Sequence, residues 1–336
     1  MKFGPVNTSE SEGAILAHSM VIGDLRFKKG ITLKKSDIIK LIAAGITEVI
    51  VATLDEGDQH ENVAVKNLSQ AIVPDPKAAN LCMTEPFTGR VNFIAKSVGV
   101  AILDVNGLNE FNVVDPMIGI STVPPFQQVN SGMMVATLKI ISYAVAGSSI
   151  LAASDAARNS IRVKSPVFNS ASLITTTISG VKLSEKGRRV VESRVAALGM
   201  ELINVVNTPH NEHALAAALT KIKGDIILIL TASATSDLAD IGPSAVRFAG
   251  GKIDRFGMPV DPGNLLFLGS LLGRPVIGLP GCARSPSLNG VDWILSRVAC
   301  GVSVTSADIS KMGVGGLLKE IPTRPQPRIY NSLKGA

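Results

Sequence analysis

The chain has 336 residues, 46% of them hydrophobic and 18% charged, with a formal net charge of +6. That composition supports a sizeable core and excludes a disordered chain. Aromatic residues make up only 4%, which weakens base stacking on aromatic rings as a binding mode, and the dispersed basic residues form no stripe for nucleic acid. From the N-terminus, Ile38, Ile39, Leu41, Ile42 and Ala43 predict a helix after Ser36, with Ser36 as its cap and Gly45 as its stop. Glu48 to Leu54 reads as a strand, and His60 to Ala71 as a second helix.

Pro74 to Pro76 reads as a linker closing a first α+β unit, residues 1–75. Residues 76–165 alternate short apolar runs with Gly, Asn and Pro, which predicts a strand-rich unit with a hairpin at Asn106-Gly107. From 166 the rhythm changes. Strands are expected at Ala171 to Thr177, Leu202 to Val206, Asp225 to Leu230 and Pro275 to Leu279. Between and after them, helices are expected at Ser184 to Leu198, Asn211 to Ile222, Asp240 to Ala249 and Ser287 to Ala299. Such alternation predicts an α/β domain over 166–302 with a mostly parallel sheet covered on both faces. A Gly- and Pro-rich tail, 303–336, follows, and its RPQPR stretch cannot be regular helix.

No apolar run reaches the roughly 18 residues of a membrane span, and the N-terminus does not read as a signal peptide. Cys82, Cys282 and Cys300 are widely spaced, which fits neither a zinc motif nor a redox dithiol, and an odd count fits a reducing compartment. The expectation is a cytoplasmic protein.

Ligands of open parallel sheets bind beyond the carboxyl ends of the strands. That rule selects ITTTISG, with Thr175 and Thr176; TASATSDLAD, with Thr231, Ser233, Ala234, Thr235, Ser236, Asp237 and Asp240; and PGCARSP. Small residues let a backbone approach a ligand, hydroxyls donate and accept, and free N–H groups at a helix start favour a phosphate. The competing reading of TASATSDLAD is an ordinary strand-to-helix connection capped by Asp240. In PGCARSP, Pro280-Gly281 turns the chain, Arg284 offers a forked contact to phosphate, and Ser285 reads as a cap. Cys282 is a nucleophile candidate with no His nearby in sequence, so a structural role is the simpler reading. His210, Glu212 and His213 could present metal ligands, but the sequence shows no further partner for them. Asp261-Pro262-Gly263-Asn264 reads as a tight turn.

These turns together resemble the molybdopterin-binding domain of the MoeA, MogA and MoaB families. TASATSDLAD stands where those proteins carry a glycine-rich loop ending in Asp, VDPGNLL where they carry Pro-Gly-Lys-Pro, and LPGCARSP where they carry Leu-Pro-Gly-Asn-Pro. KKGITLKKSDIIKLIAAGITEVIV resembles the MoeA segment before that domain, and FGMPVDPGNLL and MGVGGLLKEIP look typical of a MoeA-like group. The resemblance implies a three-layer α/β/α domain whose loops cradle molybdopterin or its nucleotide form. Asp240 would be the catalytic group, and Pro262, Gly263, Asn264, Pro280, Gly281, Cys282, Arg284 and Ser285 would line the site with the hydroxyl residues. It also implies Mg2+ and molybdate as further ligands if metal is inserted, a molybdenum cofactor nucleotidyltransferase as partner, and a homo-oligomer. The pattern departs from the family in two places. Asn264 replaces its Lys, with Arg284 as the substitute cation, and ITTTISGVKL lacks the acid of its first loop. Three functions follow: molybdopterin binding with molybdotransferase-like metal insertion, a non-catalytic carrier or regulatory partner of the transferase, or a nicotinamide nucleotide hydrolase like the CinA family.

Overall fold

A computed structural model describes residues 1–178 and 185–318. The chain has mixed α and β content spread over several sheets. It divides into two compact units, one formed by 1–97 with 101–164 and the other by 98–100 with the chain from 165 onward.

In the first unit, strands Lys2–Asn7 and Ile15–Leu16 flank Glu48–Thr53, all antiparallel. Helix Lys35–Ala43 packs Ile38 and Leu41 against Val49 and Val51. Its start is held by the Asp37 carboxylate, which accepts from Lys34 N–H at 3.0 Å, so Ser36 is not the cap. Gly45 ends it in a left-handed turn, φ +79°. The rest of this unit, in which residues 74–76 lie, surrounds a core that includes Leu68, Leu81, Phe93 and Leu138.

Asn106-Gly107 is not a hairpin. It lies in the first turn of helix Val105–Val114, because the Asp104 carboxylate caps that helix by accepting from Gly107 N–H at 3.1 Å. Leu108 and Phe111 then face the core. Gly107 is needed for close packing: a Cβ there would come within 2.5 Å of the Ala156 carbonyl in a second unforeseen helix, Gly147–Ala156.

The second unit is built on β1 (Ser170–Thr177), α1 (Glu185–Ala196), β2 (Glu201–Pro209), α2 (Glu212–Lys221), β3 (Ile226–Leu230) and α3 (Ile241–Phe248). It continues with β4 (Lys252–Phe256), β5 (Phe267–Leu271), β6 (Arg274–Leu279) and α4 (Gly290–Ala299). The strands form one sheet in the order β2-β1-β3-β6-β5-β4. The first four are parallel, and β5 and β4 continue the sheet antiparallel.

All of β3 is buried, the pattern of a strand covered on both faces. Side chains alternate across a strand, and so do their cores. Ile226, Leu228 and Leu230 join Val191 and Val195 of α1 and Ile294 and Leu295 of α4. Ile227 and Ile229 join Leu215 and Leu219 of α2 and Ala245 and Val246 of α3. α2 begins at Asn211, whose side chain accepts from Ala214 N–H at 2.8 Å. α4 begins at Asn289 rather than near Ser285: Asn289 Oδ1 accepts from Val291 N–H, and Asp292 accepts from Asn289 N–H. A short helix, Ser306–Ser310, interrupts what reads as an irregular tail. Ser184, Ser179-Gly180 of the first loop, and the RPQPR stretch lie outside the described residues.

Among the described residues, no helix is long and apolar enough to cross a membrane.

Candidate functional site

The carboxyl ends of the parallel strands bring three of the predicted loops together. Thr176, at the end of β1, is buried, and its hydroxyl accepts from Ala232 N–H at 2.8 Å. The same oxygen lies 2.8 Å from His210 Nδ1, just past the end of β2. With the imidazole proton on Nε2, the hydroxyl donates to Nδ1 and is satisfied on both sides. Thr175 is also buried and bonds the Asn207 side chain on the neighbouring strand. Its oxygen serves the sheet.

The loop after β3 is folded on itself. Buried Thr231 donates its hydroxyl to the Ser233 carbonyl at 2.7 Å and lies 3.4 Å from the Thr235 hydroxyl. Ser233, Ala234, Ser236 and Asp237 are exposed along its outer edge. Asp240 closes the loop with both carboxylate oxygens. Oδ1 accepts from Ile241 N–H at 2.7 Å, capping α3, and Oδ2 accepts from Ser236 N–H at 2.9 Å. Asp237 accepts from Ala239 N–H at 2.7 Å. Both acids therefore hold the loop in shape.

The loop after β6 joins this group through Arg284. Its Nη2 donates to the Thr231 carbonyl at 2.6 Å, and its stem lies on Gly187 of α1, where a Cβ would meet Cγ at 3.2 Å. Burial pushes the guanidinium below its ordinary pKa. Arg284 is thus first a tie between two loops. Cys282 is exposed, and its sulfur accepts from the Asn289 amide at 3.2 Å.

The turn at 261–264 reaches the same region from the other end of the 280–289 loop. The Pro262 carbonyl accepts from Gly290 N–H at 2.8 Å. Gly263, at φ +144°, sits so close to Gly290 that a Cβ would fall 2.9 Å from its nitrogen. Asn264 folds back, its amide donating to the Met258 carbonyl at 3.3 Å.

The structure thus brings Thr176, Thr231, Ala232 and Arg284 into one bonded group. Asp237, Asp240 and Ser236 stand along the rest of the Thr231–Asp240 loop, and Pro262-Gly263 packs at the start of α4. The two histidines part company. His210 faces Thr176, whereas the His213 ring meets the Phe248 ring edge-on at 4.7 Å. Among the described residues, no group of three or more His, Cys, Asp or Glu side chains is placed to hold a metal ion.

Two residues that hold this site are not assigned to it by the sequence. His210 reads there only as a possible metal ligand, although it directly follows β2 and the strand-end rule that selected the other loops also covers it. Arg194, on α1, had no local signal. Its guanidinium pairs with Asp292 at 2.7 Å and donates to the carbonyls of Ala283 at 2.7 Å, Ser285 at 2.8 Å and Ser287 at 3.0 Å. One side chain therefore sets the course of the loop after β6.

Residues 5–53 match the model of a family described as a domain of unknown function, DUF8806. No curated protein matches the chain. Among solved structures, the chain is similar to the molybdopterin biosynthesis MoeA protein from Pyrococcus horikosii at 14% identity and TM-score 0.32, covering 89% of this chain and 75% of that one. It is also similar to a molybdenum cofactor biosynthesis protein from Pyrococcus furiosus at 13% identity and TM-score 0.26, covering 90% of this chain and 66% of that one. Both likenesses are distant.

Proposed function

We propose that the second unit is a three-layer α/β/α domain that binds molybdopterin or its nucleotide form at the carboxyl ends of β1, β3 and β6, serving molybdenum cofactor assembly. The observation that carries this reading is the bonded convergence of Thr176, Thr231, Ala232 and Arg284, with the exposed Ser233-Ala234 and Ser236 edge beside them. An exposed edge of small residues and hydroxyls suits a hydrogen-bonding, phosphorylated ligand. The turns that resemble the MoeA group supply the choice of ligand.

Of the fates for a bound ligand, holding it is favoured over inserting metal into it. A Mg2+ ion takes carboxylates and several waters in near-octahedral array. Both oxygens of Asp240 are engaged by backbone N–H groups, Oδ1 of Asp237 accepts from Ala239 N–H, and among the described residues no third acidic, His or Cys side chain joins them. The described residues do not fit that ion, and no catalytic step is assigned to it. Residues of the loops bind and orient the ligand: backbone N–H groups and the Ser233 and Ser236 hydroxyls meet its polar edge, and the unengaged donors of Arg284 meet its phosphate. On this reading the protein is a carrier for, or regulatory partner of, a molybdenum cofactor nucleotidyltransferase, and it works as a homo-oligomer.

The test is calorimetric titration of the purified protein with molybdopterin and its adenylated form, with and without Mg2+ and molybdate, with released AMP assayed. A carrier binds at least one form and releases no AMP. Molybdate-dependent AMP release that disappears in Asp240→Ala would establish an insertase instead.

A further inference from the structure

A cavity of about 410 Å3 lies along α1 on the side facing the loop before α4. Its lining is one face of α1 (Lys186, Arg189, Val190 and Ser193 among it) with Pro286 and Asp292 opposite. That size falls within the roughly 300–1,000 Å3 of small-molecule sites. None of the hydroxyl residues of the loops after β1 and β3 lines it.

The charges of this cavity do not cancel. Arg194 is nine-tenths buried at its floor and is spent on Asp292 and the loop carbonyls. Glu185 pairs with Arg188 at 3.1 Å. Lys186 and Arg189 are left, both exposed and neither in an ion pair among the described residues. They stand three apart, so they project on one face of the helix. Two free cations above a neutralised floor make an anion site, and a phosphate dianion suits such a pair. Val190 and Pro286 add apolar walls beside them, and Ser193 adds a hydroxyl one turn further on.

We infer that this groove binds a phosphate monoester carrying a flat apolar group, with the phosphate on Lys186 and Arg189 and the apolar group between Val190 and Pro286. The groove borders the loop after β6, which Arg194 holds, but Lys186 and Arg189 are not among the residues assigned to the pterin site.

Phenyl phosphate is the probe, with inorganic phosphate and phenol as controls, titrated calorimetrically into the full chain at low salt. Phenyl phosphate should bind at least tenfold more tightly than either control, and raising the salt should weaken it. The double variant Lys186→Glu, Arg189→Glu should lose at least tenfold in affinity with an unchanged melting temperature. Val190→Asp should abolish the preference for phenyl phosphate over inorganic phosphate. Molybdopterin binding by the double variant, measured in parallel, should be unchanged, which separates failure of this site from failure of the pterin reading. No detectable phenyl phosphate binding, or less than threefold loss in the double variant, would overturn the inference.

Discussion

Replacing Arg194 by Ala should destabilise the second unit by about 3 kcal/mol. The guanidinium side chain is only 9% exposed, and its partner Asp292 is 20% exposed. Breaking a buried pair by removing one partner costs roughly 3–5 kcal/mol, and the partial exposure of Asp292 places this pair at or below the low end. The Ala283 carbonyl belongs to a buried residue and would lose a charge-assisted bond worth about 1.5–3 kcal/mol. The Ser285 and Ser287 carbonyls belong to exposed residues that water can reach, so they add little. These terms overlap, because one side chain makes all the contacts, so they do not sum. Lys at this position should recover about half of the loss: a point charge can hold Asp292 but cannot fork to three carbonyls. Trp293, the single tryptophan of the chain, follows Asp292 on α4 and reports this unit. Urea denaturation followed by its fluorescence gives the comparison. A loss below about 1 kcal/mol for Arg194→Ala, or equal stability of Lys and Arg, would refute the clamp.

Other positions give equally direct tests. A Cβ at Gly278 on β6 would overlap the Phe267 ring on the paired strand β5, so Gly278→Ala should cost about 3 kcal/mol in urea denaturation, and adding Phe267→Leu should restore part of it. The Asp225 carboxylate accepts from the Ser170 hydroxyl and from Asn169 and Ser170 N–H at 2.8–3.0 Å, led by the hydroxyl, and its pKa is held below the ordinary value. Its contribution is therefore present above about pH 4 and lost as pH falls through the lowered value, so the stability gap between the native chain and Asp225→Asn should shrink from pH 7 to pH 3. Glu61 goes the other way: burial pushes its carboxyl up, against the pull of His60, Lys139 and Lys29. Its contribution is full below about pH 4 and lost as pH rises through the raised value, so Glu61→Gln should raise the melting temperature at pH 7 and leave it unchanged at pH 4.

Much of the second unit is legible in the sequence because its signals are local. Asn211 and Asp240 announce helix starts and act as caps, and the unbroken Ile226–Leu230 run announces a covered strand. The strand-end rule then locates the loops. What escaped is set by partners far along the chain. Asn106-Gly107 carries a turn signature, but Asp104 and the close approach of Gly147–Ala156 make it helix. Strand β4 pairs antiparallel with β5 at the sheet edge and lacks the buried run that marks β3, while β5 is largely buried but its apolar run is interrupted by Gly269-Ser270. The candidate site divides in the same way. Its loops could be read from spacing, but the use of Asp240 as a double backbone acceptor could not, and neither could the tie from Arg284 to Thr231.

The most direct test of the pterin reading is the affinity for molybdopterin of the native chain and of Ala234→Trp. Ala234 is exposed on the outer edge of the loop after β3, so an indole there covers the proposed binding edge without disturbing the core. The account predicts molybdopterin binding by the native chain and at least a tenfold loss in the variant at unchanged melting temperature. Binding that is absent in the native chain, or equal in the two proteins, would contradict it.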